Sequence, residues 1–297
     1  MTSPTNAATT GTIEIGGDMM VRRMGFGAMR ITGNGHLAGG GRVGQLLEAW
    51  GDPPDREQAK AALRRVVELG VNFIDTADSY GPYVSEELIA EALHPYPGDL
   101  VIATKGGMVR PGPSEWIRVG RPEHLRRACE GSLRRLRLEQ IPLYQLHWPD
   151  PSVPLEESVG ALVQLKDEGK IRHIGLSNVS EDQLKTVQQV TAVVSVQNRY
   201  NVSDRSSQAV LDVCELEQLV FLPWEPLQES ADNVAVINAA DRHGASARQV
   251  VLAWLLARSP QMLPIPGTGS PEHAQANVAA AAIELSPEEI AAISDGS

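Results

Sequence analysis

The chain alternates between short apolar runs and longer stretches of helical periodicity. Eight apolar runs stand out: "RMGFGAM" from Arg23, "VNFIDTA" from Val71, "LVIATKGG" from Leu100 and "IPLYQLHWPD" from Ile141. "IRHIGLSN" from Ile171, "VVSVQN" from Val193, "LVFLPWEPL" from Leu219 and "MLPIPGTG" from Met262 complete the set. Between them lie patterns with apolar residues three and four apart, and several carry start and stop signals. "DREQAKAALRRVVELG" opens on an Asp55/Gln58 capping pair and stops at Gly70. "SEELIAEAL" follows from Ser85, "PEHLRRACEGSLRRLRL" has Pro122 in its first turn, and "PLEESVGALVQLKDEGK" ends at Gly169. "SEDQLKTVQQV" and "SPEEIAAI" carry the capping pairs Ser180/Gln183 and Ser286/Glu289. "SSQAVLDVCELEQ" and "ARQVVLAWLLAR" also read as helices.

Strands alternating with helices imply a parallel sheet, and eight such units in 297 residues imply a (β/α)8 TIM barrel in the α/β class. A doubly wound open sheet is the competing architecture. It usually carries G-x-G-x-x-G after its first strand, and "GFGAMR" lacks the third glycine. Ahead of the first barrel strand, Thr12–Val21 reads as a hairpin turning at Gly16-Gly17. Residues 1–11 are polar and expected to be frayed, so a single domain spans 1–297. One Gly-rich insertion, 33–54, follows the first strand on the side where barrels carry long βα loops and bind substrate.

Composition narrows the partners. Lys+Arg 26 against Asp+Glu 37 leaves a net charge of −11, which argues against nucleic acid. No apolar run is long enough to span a membrane. Cys129 and Cys214 fall in helical patterns and suggest no disulfide framework. The first residues show no basic and apolar leader pattern, so a cytoplasmic location is expected. A monomer is favoured.

The C-terminal ends of barrel strands converge on one mouth. Here those ends are Met29, Asp75, Lys105, His147, Ser177-Asn178, Gln197, Trp224 and Gly267-Thr268, with Tyr80 on a loop above them. Each has an ordinary alternative: a capping aspartate, a loop tyrosine, a solvated lysine, a core histidine. Together they make chemical sense as a proton-transfer group. An ammonium beside a phenol favours the phenolate and lowers the phenol's pKa. Lys105 supplies that charge, Asp75 holds Lys105, and His147 positions a substrate oxygen. The product is a tyrosine general acid aimed at a carbonyl, which requires a hydride donor. A barrel glycosidase would need two flanking carboxylates, and only Asp75 and, more distantly, Asp150 are available. No cluster of metal-ligand spacing is seen.

"FIDTADSYG", "VIATKGG", "LYQLHWPD", "HIGLSN", "VQNRYN" and "IPGTGSPEHAQAN" resemble, in order, the landmarks of the aldo-keto reductase superfamily. The bacterial pyridoxal reductase-like group is the nearest in flavour. The resemblance implies a barrel whose N-terminal hairpin closes its bottom, and an NADPH-dependent carbonyl reductase with Asp75, Tyr80, Lys105 and His147 as its catalytic tetrad. It implies cofactor contacts from Gly27, Ala28, Met29 and Asp75. Ser177, Asn178 and Gln197 would hold the nicotinamide carboxamide and Trp224 would stack on the ring. Leu227, Pro266, Gly267, Thr268, Ser270, His273 and Asn277 would follow the rest of the cofactor. Met29, Tyr80, His147, Trp116 and Trp148 would line the substrate pocket.

Two departures from the family pattern stand out. "WEPLQES" places Glu225 and Gln228 where a pyrophosphate loop usually has Ser and Gly. Gly267 and His273 stand where many members grip the 2′-phosphate with Lys and Arg. NADPH is the expected cofactor, with NADH admissible. Phosphate affinity should weaken as His273 loses its proton. The alternative within the same fold is a slow-turnover, NADP(H)-binding regulatory or partner subunit.

Overall fold

The structure, a computed structural model, describes residues 6–33, 49–227 and 233–296. Seven strands form one parallel sheet in the order β11-β10-β9-β8-β5-β4-β3. They are β3 (Phe26–Gly27), β4 (Phe73–Asp75), β5 (Val101–Gly106), β8 (Ile141–Leu146), β9 (Ile171–Ser177), β10 (Ser195–Arg199) and β11 (Val220–Trp224). The eighth run, around Met262, closes the ring without a regular ladder. Leu263 N–H donates to Phe221 O on β11, while the carbonyls of Pro264 and Pro266 accept from Gly25 and Gly27 beside β3. Those two prolines have no N–H to offer, so the closing strand pairs through its other groups. Gly27 is required at this seam, because a Cβ there would sit 2.5 Å from Ile265 O.

The hairpin β1 (Thr12–Ile15) and β2 (Met19–Arg22) is present, with Ile15 facing Met19. Its loop is therefore three residues, Gly16 to Asp18, rather than the two-residue Gly-Gly turn. Ile13, Ile15, Met19 and Val21 pack onto Phe73, Ala103, Leu143, Leu222 and Ile265. They plug the N-terminal end of the barrel with apolar surface. The expectation of fraying over 1–11 fails from Asn6 on. Asn6 caps a 3-10 turn (Ala7–Thr10), and Ala7 is fully buried and donates to Leu69 O. Residues 1–5 lie outside the described residues.

Strand parity places the site. Successive side chains of a strand point to opposite faces. Phe73, Ala103, Leu143 and Leu222 face inward onto the plug. Two residues further on, Asp75, Lys105, Gln145 and Trp224 also face inward, one layer nearer the mouth. Ile74, Ile102 and Tyr144 face outward to the helices.

The helices sit on that outer face. They are α1 (Arg56–Glu68), α2 (Val84–Leu93), α3 (Pro122–Leu136), α4 (Leu155–Asp167), α5 (Glu181–Gln188) and α6 (Gln208–Glu217). After β11 come α7 (Val234–His243), α8 (Ala247–Arg258), α9 (Pro271–Ala279) and α10 (Pro287–Asp295). Ser180/Gln183 and Ser286/Glu289 form complete capping boxes, and Asp55 caps α1 at Gln58 N. Ser85 does not precede its helix. It lies inside α2, which starts after Tyr83 in a left-handed conformation, and it donates to Ala28 O. The helix α7 escaped the pattern reading because two of its apolar residues, Val234 and Ile237, are exposed and blur the period. Cys129 and Cys214 are free, buried thiols in α3 and α6, each pushed up to about 12 by burial.

Candidate active site

The mouth of the barrel opens into a cavity of about 900 Å³. At its floor, Asp75 ends β4 and is almost wholly buried. Its Oδ2 accepts from Lys105 Nζ at 2.6 Å, and its Oδ1 accepts from the amides of Gln145 at 3.0 Å and Gln197 at 2.8 Å. Lys105 has no exposed surface. Its ammonium makes two further bonds, to Thr76 O at 2.9 Å and to the Tyr80 hydroxyl at 3.3 Å. Three donors thus meet three acceptors, which is what a buried ammonium needs. Burial opposes the charge on Lys105, but Asp75 and Tyr80 outweigh it and hold its pKa above the ordinary lysine value.

Tyr80 sits on the loop from β4 to α2, fixed by its N–H to Ala77 O and by the Ser85 N–H to its own carbonyl. Because its oxygen accepts from Lys105, its own proton is left to face the cavity. The expected lowering of its pKa is not found. Burial of the phenol, the largest influence, raises it, and the Lys105 charge only partly offsets that. The physical reason is the cost of a phenolate at a site almost closed to water. Tyr80 therefore keeps its proton through neutral pH.

His147 follows β8 and packs edge-on to Tyr80, ring centroids 5.9 Å apart. Burial, and then the Lys105 charge, hold it well below the ordinary imidazole pKa, so it is neutral. Its Nδ1 lies 3.4 Å from Ser79 Oγ. A hydroxyl donating there leaves the ring proton on Nε2.

Along the wall, Asn178 is held at positive φ (59°) and its amide is committed on both sides. Its Nδ2 donates to His147 O and Ser177 Oγ, and its Oδ1 accepts from Trp224 Nε1 at 2.9 Å. Asn178 thereby fixes the plane of the Trp224 indole. Ser177, Asn178, Gln197, Trp224 and Leu227 all line the cavity, as do Gly27 and Met29. Gly267, Thr268, His273 and Asn277 line it as well.

Ala28, Pro266 and Ser270 do not line it. Ala28 is fully buried with its carbonyl taken by Ser85, and the Pro266 carbonyl accepts from Gly27. Ser270 Oγ caps α9 at His273 N and donates to Glu272. Lys105 is also off the surface, behind Asp75 and Tyr80.

Glu225 proves less awkward than its charge suggested. Arg199 Nε donates to its carboxylate at 2.9 Å, so no bare anion faces the cavity. Gln228 lies outside the described residues, as does most of the 33–54 insertion. The described end of that insertion, Ala49–Gly51, is tied down by Arg110. This buried guanidinium donates to Ala49 O and Pro113 O and lies 5.3 Å from the Trp50 ring centroid and 3.8 Å from that of Trp116. Trp116 and Trp148 reach the cavity; Trp50 does not.

Gln145, Met108, Arg199 and Arg248 are among the cavity or floor residues not singled out from sequence. Gln145 carried a signal, since it precedes His147 by two and must share its inward face. Arg248 carried none. It lies on α8 rather than at a strand end, and only the fold brings it to the same cavity as Thr268 and His273.

A sequence model of the aldo/keto reductase family matches residues 23–295. The chain belongs to the aldo/keto reductase family. An uncharacterized oxidoreductase of Schizosaccharomyces pombe is 46% identical over 296 residues, covering 99% of this chain and 92% of the relative. Pyridoxine 4-dehydrogenase of Escherichia coli is 36% identical over 289 residues, covering 94% and 96%. Among solved structures, an aldo-keto reductase from Klebsiella pneumoniae in complex with NADPH superposes with a TM-score of 0.76. It is 29% identical, and the match covers 96% of this chain and 94% of that one. As an aldo/keto reductase, the protein is an oxidoreductase on a (β/α)8 barrel closed by an N-terminal hairpin. Among the described residues no helix is long and apolar enough to cross a membrane, and no group of three or more His, Cys, Asp or Glu is placed to hold a metal.

Proposed function

We propose that the protein reduces an aldehyde or ketone to an alcohol with NADPH, using Tyr80 as the proton donor. The observation that carries this reading is the bridge from Asp75 through Lys105 to the Tyr80 hydroxyl, with Tyr80 and His147 side by side on the cavity.

The residues present fit the cofactor. Trp224 offers a flat, hydrogen-bonded indole beside Ser177 and Asn178. Arg248 lines the cavity and makes no ion pair among the described residues, and the Asn277 side chain lines it too. The Arg248 guanidinium, with the Thr268 hydroxyl and the His273 ring lining the same cavity, offers groups suited to a phosphate. This supports NADPH over NADH even though the usual Lys and Arg are missing. When bound, NADPH supplies the hydride to the carbonyl carbon. The chain does the rest. Neutral His147 donates a hydrogen bond to the carbonyl oxygen and sets its position. Tyr80 gives its proton to that oxygen as negative charge builds on it. Lys105 stabilises the phenolate left behind, and Asp75 keeps Lys105 charged and aimed.

The test is NADPH-linked turnover across a carbonyl panel including pyridoxal and 4-nitrobenzaldehyde, for wild type and Tyr80→Phe. Loss of a positioned general acid lowers kcat by about 10²–10⁴-fold. Cofactor affinity should not move. Full activity in Tyr80→Phe would remove Tyr80 from the chemistry.

A further inference from the structure

Beyond the reacting centre, the substrate end of the cavity carries a cation that the proton-transfer assembly does not use. Just past β5 the chain turns at Gly107, whose φ of 101° suits glycine, into a small ribbon. Its strands are β6 (Met108–Val109) and β7 (Ile117–Arg118), with Met108 opposite Arg118 and Val109 opposite Ile117. Opposed residues share a face, and so do residues two apart. Met108, Trp116 and Arg118 therefore lie on one face, and all three line the cavity. Ile117, on the other face, points to solvent.

The Arg118 guanidinium lies 4.3 Å from the centroid of the Trp148 ring, and Trp148 directly follows His147. This contact holds the cation at the wall next to the residue expected to orient the carbonyl. It provides no counter-charge. Among the described residues Arg118 makes no ion pair, in contrast to Arg199, which is matched by Glu225 and Asp204. Glu115, between the two ribbon strands, makes no ion pair with Arg118 among the described residues, and Asp150, beyond the ribbon, is already committed. It accepts from Gly120 N–H, Ser152 N–H and Ser152 Oγ. In a chain of net charge −11, a cation without an acid at the cavity wall is a specific feature.

We infer that Arg118 is a specificity residue, and that the substrate is a flat carbonyl compound bearing an anionic group, which Arg118 binds while the ring lies along Trp148 and Trp116. This rests on the carbonyl-reducing reading of the site. A guanidinium fork matches both carboxylate and phosphate.

The experiment compares 4-carboxybenzaldehyde, its methyl ester and 4-formylphenyl phosphate in wild type, Arg118→Lys and Arg118→Met. The acid and ester share one ring and aldehyde and differ in charge. Wild type should show a KM for the acid below that for the ester. Arg118→Met should raise the KM for the acid about tenfold, the worth of one exposed charge-assisted contact, with little change in kcat. The ester should be unaffected, and Arg118→Lys should recover part of the loss. The phosphate arm decides which anion is preferred. Because Arg118 is exposed, high salt should narrow the gap between acid and ester.

Equal effects of Arg118→Met on acid and ester, or no preference in wild type, would overturn the inference. Terephthalate binding to the NADPH-loaded protein, followed by tryptophan fluorescence, separates this from failure of the reductase reading. Absence of turnover with every aldehyde sinks that reading, while terephthalate affinity that depends on Arg118 still supports an anion site. Affinity that ignores Arg118 removes it.

Discussion

Thr104 and Lys105 are neighbours on β5, yet they enter two different buried charged clusters. Lys105 points into the barrel, where it joins Asp75, Gln145, Gln197 and Tyr80. Thr104 points out to the helix layer, where it donates to Glu86 at 2.6 Å. Glu86 is fully buried on α2 and takes a second bond, also 2.6 Å, from Arg135 of α3. Asp78 and Tyr144 lie close enough to this outer group to feel its charges. The inner cluster ends on a cavity and leaves one proton facing it. None of the outer residues lines the active-site cavity; two of their polar atoms, Asp78 Oδ1 and Tyr144 OH, lack partners, as Gln145 Oε1 does in the inner cluster. Burial of charge alone does not mark a catalytic group; connection to a space where substrate can sit does.

The sharpest test exchanges the two cations. Lys105→Met should lower kcat by about 10²–10⁴-fold, because the phenolate loses its stabilising charge. Arg135→Met leaves Glu86 buried without its ion-pair partner, which costs about 3–5 kcal/mol of stability. Its kcat, measured on folded protein, should stay near wild type. Urea unfolding and single-turnover rates on the same samples separate the effects. If Arg135→Met slows turnover as much as Lys105→Met, the outer cluster belongs to the acid, and the distinction between the two collapses.

A smaller effect is expected at Asp78. Burial, and then the nearby Glu86 charge, push its carboxyl well above the ordinary range. A raised folded pKa means the fold prefers the protonated form. Its contribution is fully present below the unfolded value of about 3.9 and is lost as pH rises through the folded pKa. Asp78→Asn supplies a neutral side chain of the same shape. It should be more stable than wild type at pH 7, with the gap closing toward pH 4. Each ~1 kcal/mol recovered would raise Tm by about 2–4 °C. A gap independent of pH would show that Asp78 is ionised in the fold.

The inner cluster was largely legible in the sequence because apolar strands that stop on Asp75, Lys105 and His147 break a pattern. The outer one was not. Thr104, Glu86 and Arg135 each sit in a strand or helix where a polar residue looks ordinary, and only the packing of α2 and α3 on β5 unites them. The sign of the Tyr80 shift was misread for a related reason. Adjacency to Lys105 can be inferred from strand order, but enclosure cannot. Arg248 shows the same limit, since it lies on a helix rather than at a strand end. The barrel itself was legible from the period of its runs, whereas the pairing of the last strand depended on how Pro264 and Pro266 are satisfied.

The exposed ion pair at the opposite end of the barrel gives a scale for both clusters. Asp18, in the hairpin loop, accepts from Arg172 Nε at 2.9 Å and from His173 Nε2 at 2.7 Å when that nitrogen carries the proton. Slight burial raises its pKa, but the His173 and Arg172 contacts outweigh this and hold it below the ordinary value. A depressed folded pKa gives stability that is present above the unfolded value, about 3.9, and lost as pH falls through the folded one. Asp18 is well exposed, so water and salt screen the pair, and Asp18→Asn should cost under about 1 kcal/mol at pH 7. The cost should vanish in acid and shrink in high salt, the opposite pH trend to Asp78→Asn. Turnover should be untouched, because the apolar layer of Phe73, Ala103, Leu143 and Leu222 separates the hairpin from the mouth. Thermal unfolding from pH 3 to 7, paired with kcat at pH 7, checks both parts. A loss of kcat would mean that the plug couples to the Lys105 cluster through that layer.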